Sequence, residues 1–159
     1  MKASVIVCIG WLLLSGGGVR ETLNDAQIAS IVVTANQVDI DAGNLTDTKP
    51  HNPDVKAFAQ RMITDHSAVI KVGSELLAKL YVTPQDNPTS QCLKSDGDKS
   101  LAHLRKFDGA AFDKAYMDRE VGYHAQVIGA LDKTLIPSTT NPRVHRVARQ
   151  GATHLHRAS

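Results

Sequence analysis

Aromatic residues are scarce in this chain of 159 residues: they make up 4%, with one Trp, three Tyr and three Phe. That disfavours a sandwich of aromatic-rich strands. The core must come from Ala, Val, Ile and Leu, which suit close-packed helices. Charge of one sign is lacking too. The formal net charge is +2, and no Lys/Arg cluster concentrates it, so a nucleic-acid partner is not expected. Cysteine is limited to Cys8 and Cys92. No Cys-x-x-Cys-His element exists, which excludes covalently attached haem. Neither an internal repeat nor a convincing period-2 alternation is present, so no sheet is predicted.

What the chain does have is enough length for one domain with its own core. Hydrophobic content is 42% and charged content 21%, ordinary values for a globular protein. The N-terminus reads as an export signal. Lys2 supplies a positive start, Ala3 to Leu14 is an uncharged apolar run, and Ser15-Gly16-Gly17-Gly18 follows it. The run is short for a membrane span but right for a signal sequence with a small-residue cleavage zone. Residues 1–18 are therefore predicted to be a signal peptide, with a retained N-terminal anchor as the alternative. Cleavage near Gly18 leaves Cys92 as the one cysteine, read as a free or intermolecular thiol in a flexible loop, and excludes an intramolecular disulfide.

Residues 19–159 read as a bundle of four helices. Asn24 opens the first, with Gln27 completing a capping box. Its apolar stripe is Ile28, Val32, Ala35, Val38, Ala42 and Leu45, interrupted by Asp39. Asn52-Pro53 opens the second, an N-cap followed by proline at the first helical position. It is predicted to run to about Tyr81, with Pro84 ending it. Residues 82–96 are polar and read as a long loop, followed by a short helix from Asp98 to Phe107. Asp108-Gly109 caps a third long helix from Ala110 to about Leu135. Asn141-Pro142 opens a fourth, to about Arg157. The expected fold is all-α: a four-helix bundle with a long loop and short helix between helices 2 and 3, that connection crossing the bundle.

Two histidines stand where core residues should be. Phe58/Ala59, Met62, His66, Val69, Gly73, Leu76 and Leu80 step by three or four residues, as do Met117, Val121, His124, Ile128, Leu131 and Leu135. That is the spacing of one helix face. A buried polar group without a partner costs about 1–3 kcal/mol. The two imidazoles therefore imply an internal polar site near mid-height of their helices. Asp39, Glu120 and His154 can join it, with Asp113 on the same face as Glu120. Two readings follow. One is a buried hydrogen-bond network in which these groups satisfy one another. The other is a metal site of Asp39, His66, Glu120, His124 and His154 for Zn, Fe, Mn or Cu. No histidine has an acidic residue three positions upstream, which argues against the usual di-iron carboxylate chemistry.

Several of these elements together resemble a known pattern. They are Phe58-Ala59-x-x-Met62-Ile63-x-Asp65-His66, Gly109-x-x-Phe112-Asp113-x-x-Tyr116-Met117, Tyr123-His124 and His154-Leu155. The chain resembles the family called Domain of Unknown Function 4142 over roughly residues 23–158. The resemblance implies a ferritin-like four-helix bundle, exported in bacteria, with no established activity. The family often carries Glu on helix 1 where Asp39 and Asp41 stand here, and a longer fourth helix. The expectation is a non-enzymatic protein of the periplasm or cell envelope with a binding or structural role. Its partner would be another envelope component or a second copy, with no membrane span in the mature chain. The alternative is a periplasmic metal-binding or redox protein.

Overall fold

The computed structural model describes residues 23–49, 52–146 and 148–149. These residues are helical, with no strand among them. The elements are α1 (Asp25–Thr46), α2 (Pro53–Lys79), α3 (Pro88–Leu104) and α4 (Gly109–Ala130). A π-helical turn, Leu131–Leu135, and three helical residues, Ile136–Ser138, extend α4. The predicted signal peptide lies outside the described residues. No helix among the described residues is long and apolar enough to cross a membrane.

Three helices start on asparagine. Asn24 and Gln27 form the reciprocal capping box at α1. Asn52 accepts from Asp54 N–H, with Pro53 next to it, at α2. Asn87 pairs with Ser90 in a second capping box at α3, again followed by proline. The last of these corrects the sequence reading. Residues 82–96 are not one long loop, because Asn87-Pro88 is the same start signal as Asn52-Pro53, with Ser90 in place of the usual Glu or Gln. Polar composition masked a 17-residue helix. Cys92 therefore sits in a helix and not in a loop.

The ends of α2 and α4 also differ from expectation. Pro84 does not end α2. Val82 N–H bonds to Leu77 O and Tyr81 N–H to Ala78 O, the paired bonds of a Schellman motif. Tyr81 takes the left-handed position, φ 56°, that glycine usually fills. Asp108 sits at the N-cap of α4 without capping it; its carboxylate accepts from Lys49 Nζ at 2.8 Å. Pro137 follows the π turn. Proline cannot donate to the carbonyl four residues back and clashes with it, and a wider turn relieves that conflict.

Side-chain contacts set the topology. The start of α3 lies against the start of α1: Gln85 N–H bonds Ala26 O, Ser30 Oγ bonds Asp86, and Asn87 Nδ2 bonds Gln27 O. At the other end Leu104 packs with Ala42 and Leu45. So α3 runs parallel to α1, while α2 and α4 run the opposite way. The connection between α2 and α4 does cross the bundle, but as a packed helix. The segment that would complete a ferritin-like bundle begins after Asn141, and of it residues 142–146 and 148–149 are described and helical.

Two apolar clusters fill the interior. One gathers Ile28, Ile31, Ala35 and Val38 of α1 with Leu93, Tyr123, Val127 and Leu131. The other gathers Ala42 and Leu45 with Ala59, Leu104, Phe112 and Tyr116. Asp39 lies on α1 between them. α1 is central because its neighbours approach it at glycines. A Cβ on Gly97 of α3 would stand 2.7 Å from Val38 Cγ2, and one on Gly43 would stand 2.8 Å from Ile63 Cγ1. A Cβ on Gly73 would touch nothing within 4 Å.

These two kinds of glycine should respond oppositely to alanine. Gly73→Ala is expected to stabilise by up to about 1 kcal/mol through helix propensity. Gly97→Ala gains the same term but must displace a stiff β-branched side chain, an overpacking cost of about 1–3 kcal/mol. Its expected net effect is destabilisation, read by urea unfolding of the two variants against wild type. Equal behaviour of the two would show that the α1–α3 contact is not tight.

Candidate metal centre

Asp39 on α1, His66 on α2, and Glu120 and His124 on α4 are all buried, and the fold brings them together. Asp39, His66 and His124 offer ligand atoms within 4.8 Å of one another. His66 Nε2 is 2.7 Å from Asp39 Oδ2, and His124 Nε2 is 3.7 Å from the same oxygen. Glu120 Oε2 lies 3.7 Å from His124 Nδ1. His154 lies outside the described residues. Asp113 is not in the cluster; it accepts from Asn52 N–H at 3.0 Å, at the end of the bundle.

The far nitrogen of each ring is already committed. His66 Nδ1 faces Asn36 Oδ1 at 2.7 Å. The amide of Asn36 is oriented by its Nδ2 donating to Val32 O at 2.7 Å. His124 Nδ1 faces Glu120 O at 2.9 Å. Both partners are acceptors, so each Nδ1 must donate. Each ring then turns its Nε2 toward the carboxylate of Asp39. Asp39 Oδ2, Glu120 Oε2 and His124 Nε2 are buried without an aligned hydrogen bond.

Arg119 organises the carboxylates, and the sequence reading missed it. Its Nη1 pairs with Asp39 Oδ1 and with Glu120 Oε1. Nη2 donates to Val38 O at 3.3 Å. The guanidinium lies 4.4 Å from the Tyr123 ring centre, a cation–π contact. Tyr123 in turn donates to Ala35 O at 2.6 Å. A signal for this was present. Phe112, Tyr116, Arg119 and Tyr123 step by four, three and four, so Arg119 occupies one row with the buried aromatics. The row that places His124 runs through Glu120 and Val127 instead of Val121, which is 69% exposed.

The charges follow from these contacts. Burial alone would raise Asp39, but its contact with His66, the Arg119 charge and the two histidines hold it well below the usual carboxylate range. Burial pushes Glu120 up to about 8; Arg119 opposes this and the Asp39 charge reinforces it. Burial would lower Arg119, and the Glu120 and Asp39 charges outweigh it, so Arg119 is held firmly charged.

The donor set fits a metal ion. Two imidazoles and a carboxylate suit divalent first-row metals, and this set with open positions is familiar from non-haem iron. Ligand atoms bonded at about 2.0–2.2 Å to one ion stand roughly 3–4 Å apart. The His124 Nε2–Asp39 Oδ2 separation, 3.7 Å, lies in that range, and the His66 Nε2–Asp39 Oδ2 separation, 2.7 Å, is shorter. Ligating histidines commonly donate their other ring N–H to a carbonyl or carboxylate, the arrangement seen here with Asn36 and Glu120.

Fold and cluster thus define an all-helical protein with a buried two-histidine, one-carboxylate cluster. The chain belongs to the family described as Domain of unknown function (DUF4142), which it matches over residues 17–158. No curated protein and no solved structure matches it.

The raised Glu120 predicts a pH dependence for the metal-free protein. A carboxyl that holds its proton more tightly when folded stabilises fully below its unfolded value, 4.5. That contribution is lost as pH rises through about 8. Asp39 acts oppositely: its contribution is present above its unfolded value of 3.8 and lost as pH falls below it. Denaturant unfolding between pH 5 and 9 should show stability falling with pH in wild type and a flatter profile in Glu120→Gln. Identical slopes would remove Glu120 as the cause.

Arg119→Met leaves two buried carboxylates without their cation. Breaking such a network typically costs about 3–5 kcal/mol. A loss below 1 kcal/mol by urea unfolding at pH 7 would show that the pairing is not the constraint described.

Proposed function

We propose that this protein binds a divalent first-row metal ion, Zn2+ or Fe2+ by preference, through Asp39, His66 and His124, with Glu120 as an adjoining carboxylate. The observation that carries the reading is the convergence of two imidazole Nε2 atoms on one buried carboxylate oxygen, each ring already donating through Nδ1. A cation at that point answers all three atoms. It would also give Glu120 Oε2 a neighbouring positive charge. The hydrogen-bond network, the other reading of these residues, leaves His124 Nε2 and Glu120 Oε2 without partners. The geometry therefore favours the metal reading over a purely structural cluster.

The proposal assigns binding, and the chain has no Glu-x-x-His element of the di-iron kind. It includes export to the periplasm or cell envelope, supported by Lys2 and the apolar run from Ala3 to Leu14. It also includes a ferritin-like bundle completed by the helix that opens at Pro142.

Expression with the native N-terminus tests both parts. The chain is expected in the envelope fraction, shortened near residue 18, and carrying close to one equivalent of metal when purified without chelator. His66→Ala and His124→Ala should lose the ion while keeping their helical signal. Asn36→Ala, which frees the His66 ring, should weaken affinity about 10–100-fold. Metal at background, with no thermal shift from Zn, Fe, Mn or Cu, would reject the binding reading. Cytoplasmic retention of full-length chain would reject export.

A further inference from the structure

A cavity of about 110 Å³ adjoins the cluster. It is bounded by the first half of α1, the second half of α2 and the second half of α4. Ile31, Val69, Leu77, Leu93, Val127 and Leu131 are among its walls, which are mainly apolar. Asn36, His66 and His124 also line it. Asn36 is the last lining position on α1, His66 is among the first on α2, and His124 is among the first on α4. The polar cluster therefore stands at one end of an apolar chamber.

The chemistry of that end is defined. His124 Nε2 is buried and unpartnered, with its side chain 5% exposed. A divalent ion on Asp39, His66 and His124 has only three protein ligands and so keeps open positions. Asp39 and Glu120 bring two negative charges when ionised, and Arg119 and the ion bring three positive ones. The loaded site is therefore net positive whether or not Glu120 holds its proton, which favours an anion.

We infer that the cavity binds a small apolar monocarboxylate, its carboxylate on the metal ion and its hydrocarbon body in the chamber. This rests on the metal reading above. An apolar cavity of about 150 Å³ holds benzene, so this smaller chamber suits a body of about four or five carbons. The ligand class is a short-chain carboxylic acid of that size.

The test uses the full chain loaded with Co2+, whose visible absorption reports its ligands, and hexanoate as probe. Hexanoate is expected to change the Co2+ spectrum and to bind at least about tenfold more tightly than acetate, because each buried methylene contributes about 0.8 kcal/mol. Hexylamine, with the same body and opposite charge, should leave the spectrum unchanged. Val127→Phe and, at the half-buried rim, Val69→Phe fill the chamber. Both should keep Co2+ affinity within threefold and lose hexanoate at least tenfold. If Val127→Phe does not fold, Val69→Phe decides.

Several results would overturn the inference while leaving metal binding intact. They are no hexanoate binding to the loaded protein, equal affinity for acetate, equal binding after the metal is stripped, or undiminished binding in the filled variants. Failure to bind Co2+ at all would overturn both readings.

Discussion

A single buried guanidinium makes the interior of this bundle possible. Two carboxylates, Asp39 and Glu120, lie between apolar clusters that could not hold them uncompensated, because removing an ion from water costs several kcal/mol. Arg119 meets both, and adds the Val38 carbonyl and the Tyr123 ring. Tyr123 carries the tie on to Ala35 O. One side chain thus joins α4 to α1 over more than a helical turn. By taking Asp39 Oδ1 it also leaves Oδ2 as the oxygen presented to both histidines.

The consequences reach the site's geometry. Because α1 carries Asp39 and Asn36 one turn apart, the ring of His66 is held at both nitrogens by the same helix. Because α4 carries Glu120 and His124 one turn apart, the backbone carbonyl of one orients the ring of the other. The imidazoles, with centres 5.6 Å apart, belong to helices that run parallel. That parallel arrangement requires the intervening chain to travel the length of the bundle. It does so as α3, pressed against α1 where Gly97 meets Val38. A polar loop could cross too, but it would leave Ala42, Leu45 and Val38 without the apolar cover that Leu93 and Leu104 provide.

Much of the architecture is legible residue by residue. Asn24, Gln27, Asn52 and Pro53 mark helix starts through local hydrogen bonds and a fixed φ, which need no tertiary partner. The same chemistry at Asn87-Pro88-Thr89-Ser90 was outweighed by polar composition, a weaker guide than a cap. His66, His124 and Asp39 are legible because a titratable residue on an apolar stripe is an exception that demands a partner. Asp113 misled because it shares a face with Glu120 but sits two turns nearer the helix start, at the end of the bundle. Val121 misled because a single row can be drawn through His124 in two ways, and only packing selects the one through Val127.

The helical class, most helix starts, and the inward placement of His66, His124 and Asp39 are legible in the sequence itself. These follow from local bonding and from the 3.6-residue period. What those residues face is set by the packing of the helices. Helix rotation and the close approach at Gly43 and Gly97 bring Asp39 to both imidazoles, place Arg119 between the carboxylates, and leave an apolar chamber above them. The contacts of Asp39 with the two imidazoles join positions 27 and 85 residues apart, and no periodicity along one helix carries that information.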